Sequence, residues 1–133
     1  MASLMENLID VLDQESGEYE ALLGLCRKKT PVIVSGNLEE LTRITDEEQT
    51  IAGRVNKLDH KRQEIYADIA NVINKDVKTL KLTDLIAMLE KRPSEQQKLA
   101  QTYDRLRAVV QEVRLMVLKV RVGQVSSVSM ISP

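Results

Sequence analysis

With 133 residues the chain is the size of one domain. Aromatic residues make up 2% of it, three Tyr with no Phe or Trp, so a core must be built from Leu, Ile, Val, Ala and Met. A net charge of −1 gives no general attraction to nucleic acid or an anionic membrane, and five Gly, three Pro and 29% charged residues argue for long helices over a sandwich or barrel.

The first helical pattern covers roughly residues 3–34. Leu4, Leu8, Val11, Leu12, Tyr19, Leu22, Leu23 and Cys26 recur at three- and four-residue steps, with an interruption at Glu15. Thr30-Pro31 falls inside the pattern; proline removes a donor and crowds the preceding turn, which predicts a kink or a break. Ser35-Gly36-Asn37 is the first clear connection. Gly36 suits the left-handed closing conformation, and Asn37 can cap the next helix with Glu40 completing a capping box. So tight a link predicts an antiparallel hairpin.

The second helix, residues 37–74, carries the strongest signal. Leu41, Ile44, Ile51, Val55, Leu58, Ile65, Ile69 and Val72 form a structural seam with heptad spacing, about 50 Å from Leu38 to Val72. Glu48 and Arg62 break the seam. They stand fourteen residues apart, about 21 Å, too far to pair with each other. Such charges lie at an open edge, meet opposite charges on a neighbouring helix, or set register.

Asn74 to Lys81 reads as a loop. A short helix follows over 83–91 with Thr83 as its cap and Leu85, Ile86, Met88 and Leu89 on it. The last helix spans 94–121, with Pro93 in its first turn or Ser94 as its cap. Leu99, Thr102, Leu106, Val109, Val113, Met116 and Val120 keep the three-four spacing. From Val113 to Val122 the helix becomes apolar on nearly every side, broken by Arg114, Lys119 and Arg121. An all-round apolar helix needs burial on every side, which a thin bundle rarely supplies, so a partner or self-association is implied. Residues 123–133, whose Ser and β-branched residues lower helix propensity, read as a flexible tail or one that orders on a partner, the Val/Ser alternation allowing strand addition.

Charge is unevenly divided. Residues 1–74 carry 8 Lys/Arg and 14 Asp/Glu, net −6; residues 75–133 carry 11 and 6, net +5. The halves either attract each other on folding or reserve a basic surface for an acidic partner. The start of the chain lacks the basic and apolar regions of a signal peptide, and no run of about 18 apolar residues exists to span a membrane, so the chain reads as soluble and cytoplasmic.

Nothing marks an enzyme. His60 is alone on an outer helix face, and Cys26 is the one cysteine. There is no metal-ligand spacing, phosphate loop or basic-aromatic interleaving, so no cofactor, metal or nucleic acid is called for. Arg27, Lys28 and Lys29 after Cys26 could lower its pKa, but its place on the apolar stripe favours a buried structural thiol.

The run Tyr19-Glu20-Ala21-Leu22-Leu23, the link Ser35-Gly36-Asn37-Leu38-Glu39-Glu40-Leu41, the charged heptad helix after it, the short helix and the last long helix together resemble the FlgN-type flagellar export chaperones. The likeness covers roughly residues 4–118. It implies an all-α fold, an elongated antiparallel hairpin and three-helix coiled-coil-like bundle with one short extra helix. It also implies a non-catalytic cytoplasmic chaperone that holds helical termini of hook-associated proteins before type III export. Binding through the C-terminal part corresponds here to Val109, Val113, Met116, Val117, Val120, Val122, Val125 and Val128. A component of the export apparatus and a second copy of the chain are further candidate partners. The competing reading is a structural coiled-coil adaptor, or self-assembling module, with no secreted client.

Overall fold

The computed structural model describes the backbone of residues 3–129 and the side chains of residues 3–116. Its described residues form four helices and no strand: α1 (Leu4–Ser35), α2 (Leu38–Val72), α3 (Leu82–Met88) and α4 (Pro93–Ser129). The fold is an all-α helical bundle, as the spacing predicts.

Helix α1 starts at a reciprocal cap. The Glu6 amide donates to Ser3 Oγ at 3.1 Å, and the Ser3 amide donates to the Glu6 carboxylate at 3.4 Å. The helix then runs through Pro31 without breaking. Only one turn follows the proline, and Arg27 and Pro31 are both exposed, so water can satisfy the carbonyl that the ring leaves without a donor. Gly36 closes α1 with a left-handed φ of 72°. Asn37 then accepts from the Glu40 amide at 3.1 Å. Glu40 does not complete the expected capping box, because its carboxylate pairs with Arg43 instead.

Helix α2 runs antiparallel to α1, and the two charges that interrupt its seam explain the pairing. Arg62 meets Glu15 of α1 at 3.4 Å, and Glu48 meets Lys29 of α1 at 3.0 Å. The fourteen-residue interval from Glu48 to Arg62 is therefore matched by the fourteen from Glu15 to Lys29. Glu15, the interruption in the first stripe, is only 2% exposed and faces the interruption in the second. Arg62 also pairs with Asp59. One Glu15 oxygen, Oε1, keeps no hydrogen-bond partner among the described residues.

Between and on either side of these charges the seam packs as aliphatic layers. Ile44, Ile51, Ile65 and Ile69 are buried, and Leu41, Val55 and Leu58 are half-buried. Val72 departs from the expected seam: it is 73% exposed, and Ala70 and Ile73 turn inward in its place. A helix of 3.6 residues per turn drifts about 20° per heptad against a 3.5-residue repeat, so over four heptads the inner face moves off Val72.

After α2, Asn74 takes a left-handed φ of 56°, and the connection folds back under the hairpin. Leu80 is buried there, its carbonyl accepting from Tyr66 Oη at 2.6 Å. Helix α3 begins at Leu82 rather than after Thr83. Asp84 reaches back to accept from the Lys81 amide at 2.9 Å, so the residue type expected to cap is not the one used. Pro93 is the first residue of α4, where its missing donor costs nothing.

Helix α4 runs parallel to α1. Arg105 pairs with Glu20 at 3.0 Å and with Asp13 at 2.7 Å, and Arg27 pairs with Glu112 at 3.3 Å. Two of these three contacts bring an α4 base onto an α1 acid, so the charge asymmetry between the halves serves in part to dock them. Helix α1 is thus the middle layer. Helices α2 and α4 pack on it from two sides, and among the described residues no Cα of one lies within 8 Å of the other. The main core joins Leu8, Val11 and Leu12 of α1 to Leu85 of α3 and Leu99, Leu106 and Val109 of α4. A smaller core of Leu25, Ile44 and Ile51 holds the upper hairpin.

Two outcomes follow from this packing. Ile44→Ala should lower the urea unfolding free energy by about 2–4 kcal/mol, whereas Val72→Ala, at the last expected seam position, should change it by no more than about 0.5 kcal/mol. Equal effects would mean that the seam runs on to Val72. Burial also raises the Glu15 carboxyl above its ordinary 4.5, with Arg62 opposing and Asp59 adding to the rise. A carboxyl raised in the folded state contributes stability that is fully present below 4.5 and is lost as pH rises through its folded value. Glu15→Gln should therefore gain in melting temperature relative to the parent as pH goes from 4.5 to neutrality. A difference that stays constant across that window would show that Glu15 is not the titrating group.

Candidate functional site

No reaction centre assembles among the described residues. His60 is exposed on α2. Cys26 is buried, and burial pushes its thiol up, with Glu48 adding to the rise and Lys29 opposing it. The basic run after Cys26 thus does not activate it, and the structural reading of this thiol is the one that fits. No group of three His, Cys, Asp or Glu among the described residues could hold a metal ion. No helix of the described residues is long and apolar enough to cross a membrane.

Two features of the surface bear on partner binding. The first is a groove of about 570 Å³ where α2 and α4 diverge over α1. Its floor is Leu8 and Leu12, and Tyr66 and Ala67 of α2 and Tyr103 of α4 form its walls. The floor residues are buried by the bundle, Tyr66, Leu82 and Tyr103 are half-buried, and Val77 beside them is exposed.

The second feature is the end of the molecule that carries the hairpin turn. Here the expected binding residues divide. Val109 and Val113 are buried against α1 as part of the main core, and Met116 is half-buried beside them. Their packing makes them the base that fixes the last helix. Val117, Val120, Val122 and Val125 lie along α4, as does Val128, and their side chains fall outside the described residues. The helix continues past Gly123 to Ser129, so the segment expected as a tail from residue 123 is helical along most of its length. Leu115, on the side away from α1, is 58% exposed. Of residues 113–116, then, one side is packed, while the side that carries Leu115 is open.

Sequence reasoning did not single out the turn itself. Ile33 and Val34 at the end of α1 and Leu38 at the start of α2 are exposed, Val34 by 82% and Leu38 by 75%. The available signal was the unbroken apolar run Val32-Ile33-Val34 beside a Gly-Asn turn, which cannot all face inward on a helix.

The chain that forms this long hairpin, short helix and third long helix was compared with known protein families. The family model described as FlgN protein matches residues 1–119. No curated protein and no solved structure matches the chain. A match over that much of the sequence means that the chain belongs to the FlgN family of flagellar export chaperones.

Proposed function

We propose that this chain is a non-catalytic chaperone of the bacterial cytoplasm that holds the helical termini of hook-associated proteins before type III export. Residues 116–128 of α4 act as its holding segment, with Met116, Val117, Val120, Val122, Val125 and Val128 as the contact residues and Val109 and Val113 as their support. The observation that carries this reading is the change in α4. Up to Met116 its stripe packs into the core shared with α1, while Leu115 on the other side is exposed and the sequence from Val113 to Val122 is apolar on nearly every side. A client helix laid against that segment would bury its own apolar stripe, the helix-in-groove mode of recognition. Holding of this kind is an equilibrium effect and needs no nucleotide.

Truncation after Met116 tests the reading. The shortened chain should keep a cooperative melt close to that of the parent and lose co-purification with the hook-associated proteins of the same organism. Retained binding would move the site elsewhere. A collapse of the melt would favour a structural adaptor whose last helix is buried in an oligomer.

A further inference from the structure

The two seam ion pairs of the hairpin fix which residues of α1 and α2 stand opposite each other. Glu15 faces Arg62, and Lys29 faces Glu48. Nine residues up α1 from Glu15 and nine down α2 from Arg62 lie Gly24 and Gly53, so the two glycines are level with each other in the hairpin. Both are inside helices. Neither has the positive φ that calls for glycine, and a methyl group at either would meet nothing within 4 Å beyond its own stretch of helix. Packing therefore gives no reason for glycine at this level of both helices. What glycine does there is lower the cost of leaving the helix, since after proline it is the residue least suited to a helix interior.

The same level divides the core. The main core takes its buried α1 residues from Leu8 to Leu23, its α2 residues from Ile65 to Ala70 and its α4 residues from Leu99 to Val113. The small core of Leu25, Ile44 and Ile51 draws on α1 and α2 alone among the described residues. Leu22, level with Val55 on the body side of the glycines, packs against both cores. Above the glycines one ion pair ties α1 to α4, Arg27 with Glu112, and both partners are exposed, so it contributes little. Pro31 leaves the Arg27 carbonyl without its helical donor there, and Ile33, Val34 and Leu38 are exposed. Gly17, which is also free of close neighbours, stands opposite His60, between Leu12 and Leu23 of the main core.

We propose that residues 25–52 form an arm that opens as a unit about Gly24 and Gly53 while the rest of the bundle stays folded. Local opening has its lowest free energy where buried aliphatic contacts are few and backbone bonds are weak, and the two glycines set that boundary on both helices at once. Closed, the arm hides Leu25, Ile44 and Ile51. Open, it adds them to Ile33, Val34 and Leu38 as one aliphatic surface and leaves the Leu8, Leu12 and Leu99 layers in place. The device belongs to the free chain and does not depend on the client-holding reading.

Hydrogen–deuterium exchange of the full-length chain tests this, with rates taken relative to those of an unfolded chain. Amides from Ile44 to Ile51 should be at least about tenfold less protected than those of Leu8 to Ser16, Ile65 to Ile69 and Leu99 to Val109. The double variant Gly24→Ala/Gly53→Ala should slow exchange of the arm by about twentyfold, about fivefold for each glycine, because both positions leave the helix when the arm opens. Gly17→Ala should slow the body amides about fivefold and leave the arm as in the parent, because Gly17 stays helical in the open state. Equal protection of arm and body in the parent, or slowing of both to the same extent by Gly17→Ala, would mean one cooperative unit and overturn the inference. An arm unmoved in the double variant would overturn it too, by taking the hinge away from the glycines.

Discussion

The pairing of Glu15 with Arg62, repeated two heptads away by Lys29 with Glu48, is the contact on which the hairpin's geometry depends. A heptad seam is nearly degenerate: sliding one helix past the other by seven residues again sets aliphatic residues against aliphatic residues. The charges break that degeneracy. In the observed register position 15 faces position 62 and position 29 faces position 48. A slip of one heptad would set Arg62 against Leu8 or Leu22, and Glu15 against Val55 or Ile69. Either arrangement would bury an unpaired charge, which costs several kcal/mol. The short Gly36-Asn37 turn limits slippage near the tip, but the Glu15–Arg62 pair acts some twenty residues away, where a turn has little hold. Such pairs add little net stability over an apolar substitute. Their effect here is to make one alignment better than its neighbours.

The other long contact follows from that alignment. With α2 fixed on one side of α1, the remaining apolar side of α1 is left for α4, and the Leu, Ile and Val residues there supply most of the burial. The ion pairs of Arg105 and Glu112 are on the surface and worth little individually, yet they mark the same parallel offset. Because α1 lies between the other two long helices, the ends of α2 and α4 are each placed by reference to it. The level of the hairpin tip relative to the last helix is thus a consequence of two registers, one set by buried charge and one by aliphatic packing.

Much of this was legible in the sequence, for identifiable reasons. Helix order, the Gly36 turn and the Asn37 cap rest on local chemistry, which survives folding unchanged. The meaning of Glu48 and Arg62 was legible only as a choice among three alternatives, because each depends on a neighbour that periodicity does not name. The misreadings have a common cause. Val72 fits a 3.5-residue repeat and lies on a 3.6-residue helix, and the difference shows only at the far end of a long seam. Val109 and Val113 belong to a stripe that continues into the apolar segment, and a stripe does not show where its intramolecular partner stops. The tip residues were passed over because their neighbours Gly36 and Asn37 explained the turn and left the apolar run before it without a role.

An export chaperone must also let its client go. A client bound deep between helices would have to part the bundle to leave, and its release would be tied to the stability of the core. On the proposed reading the client instead lies along one exposed end of α4. Among the described residues the core reaches Val113 on α4, with Met116 packed against it, so binding and release beyond that point would leave the Ile44 and Leu99 layers undisturbed. On the proposed reading residues 117–133 would be free to vary to suit a client, whereas loss of Arg62 alone would leave the buried Glu15 carboxylate without its cation.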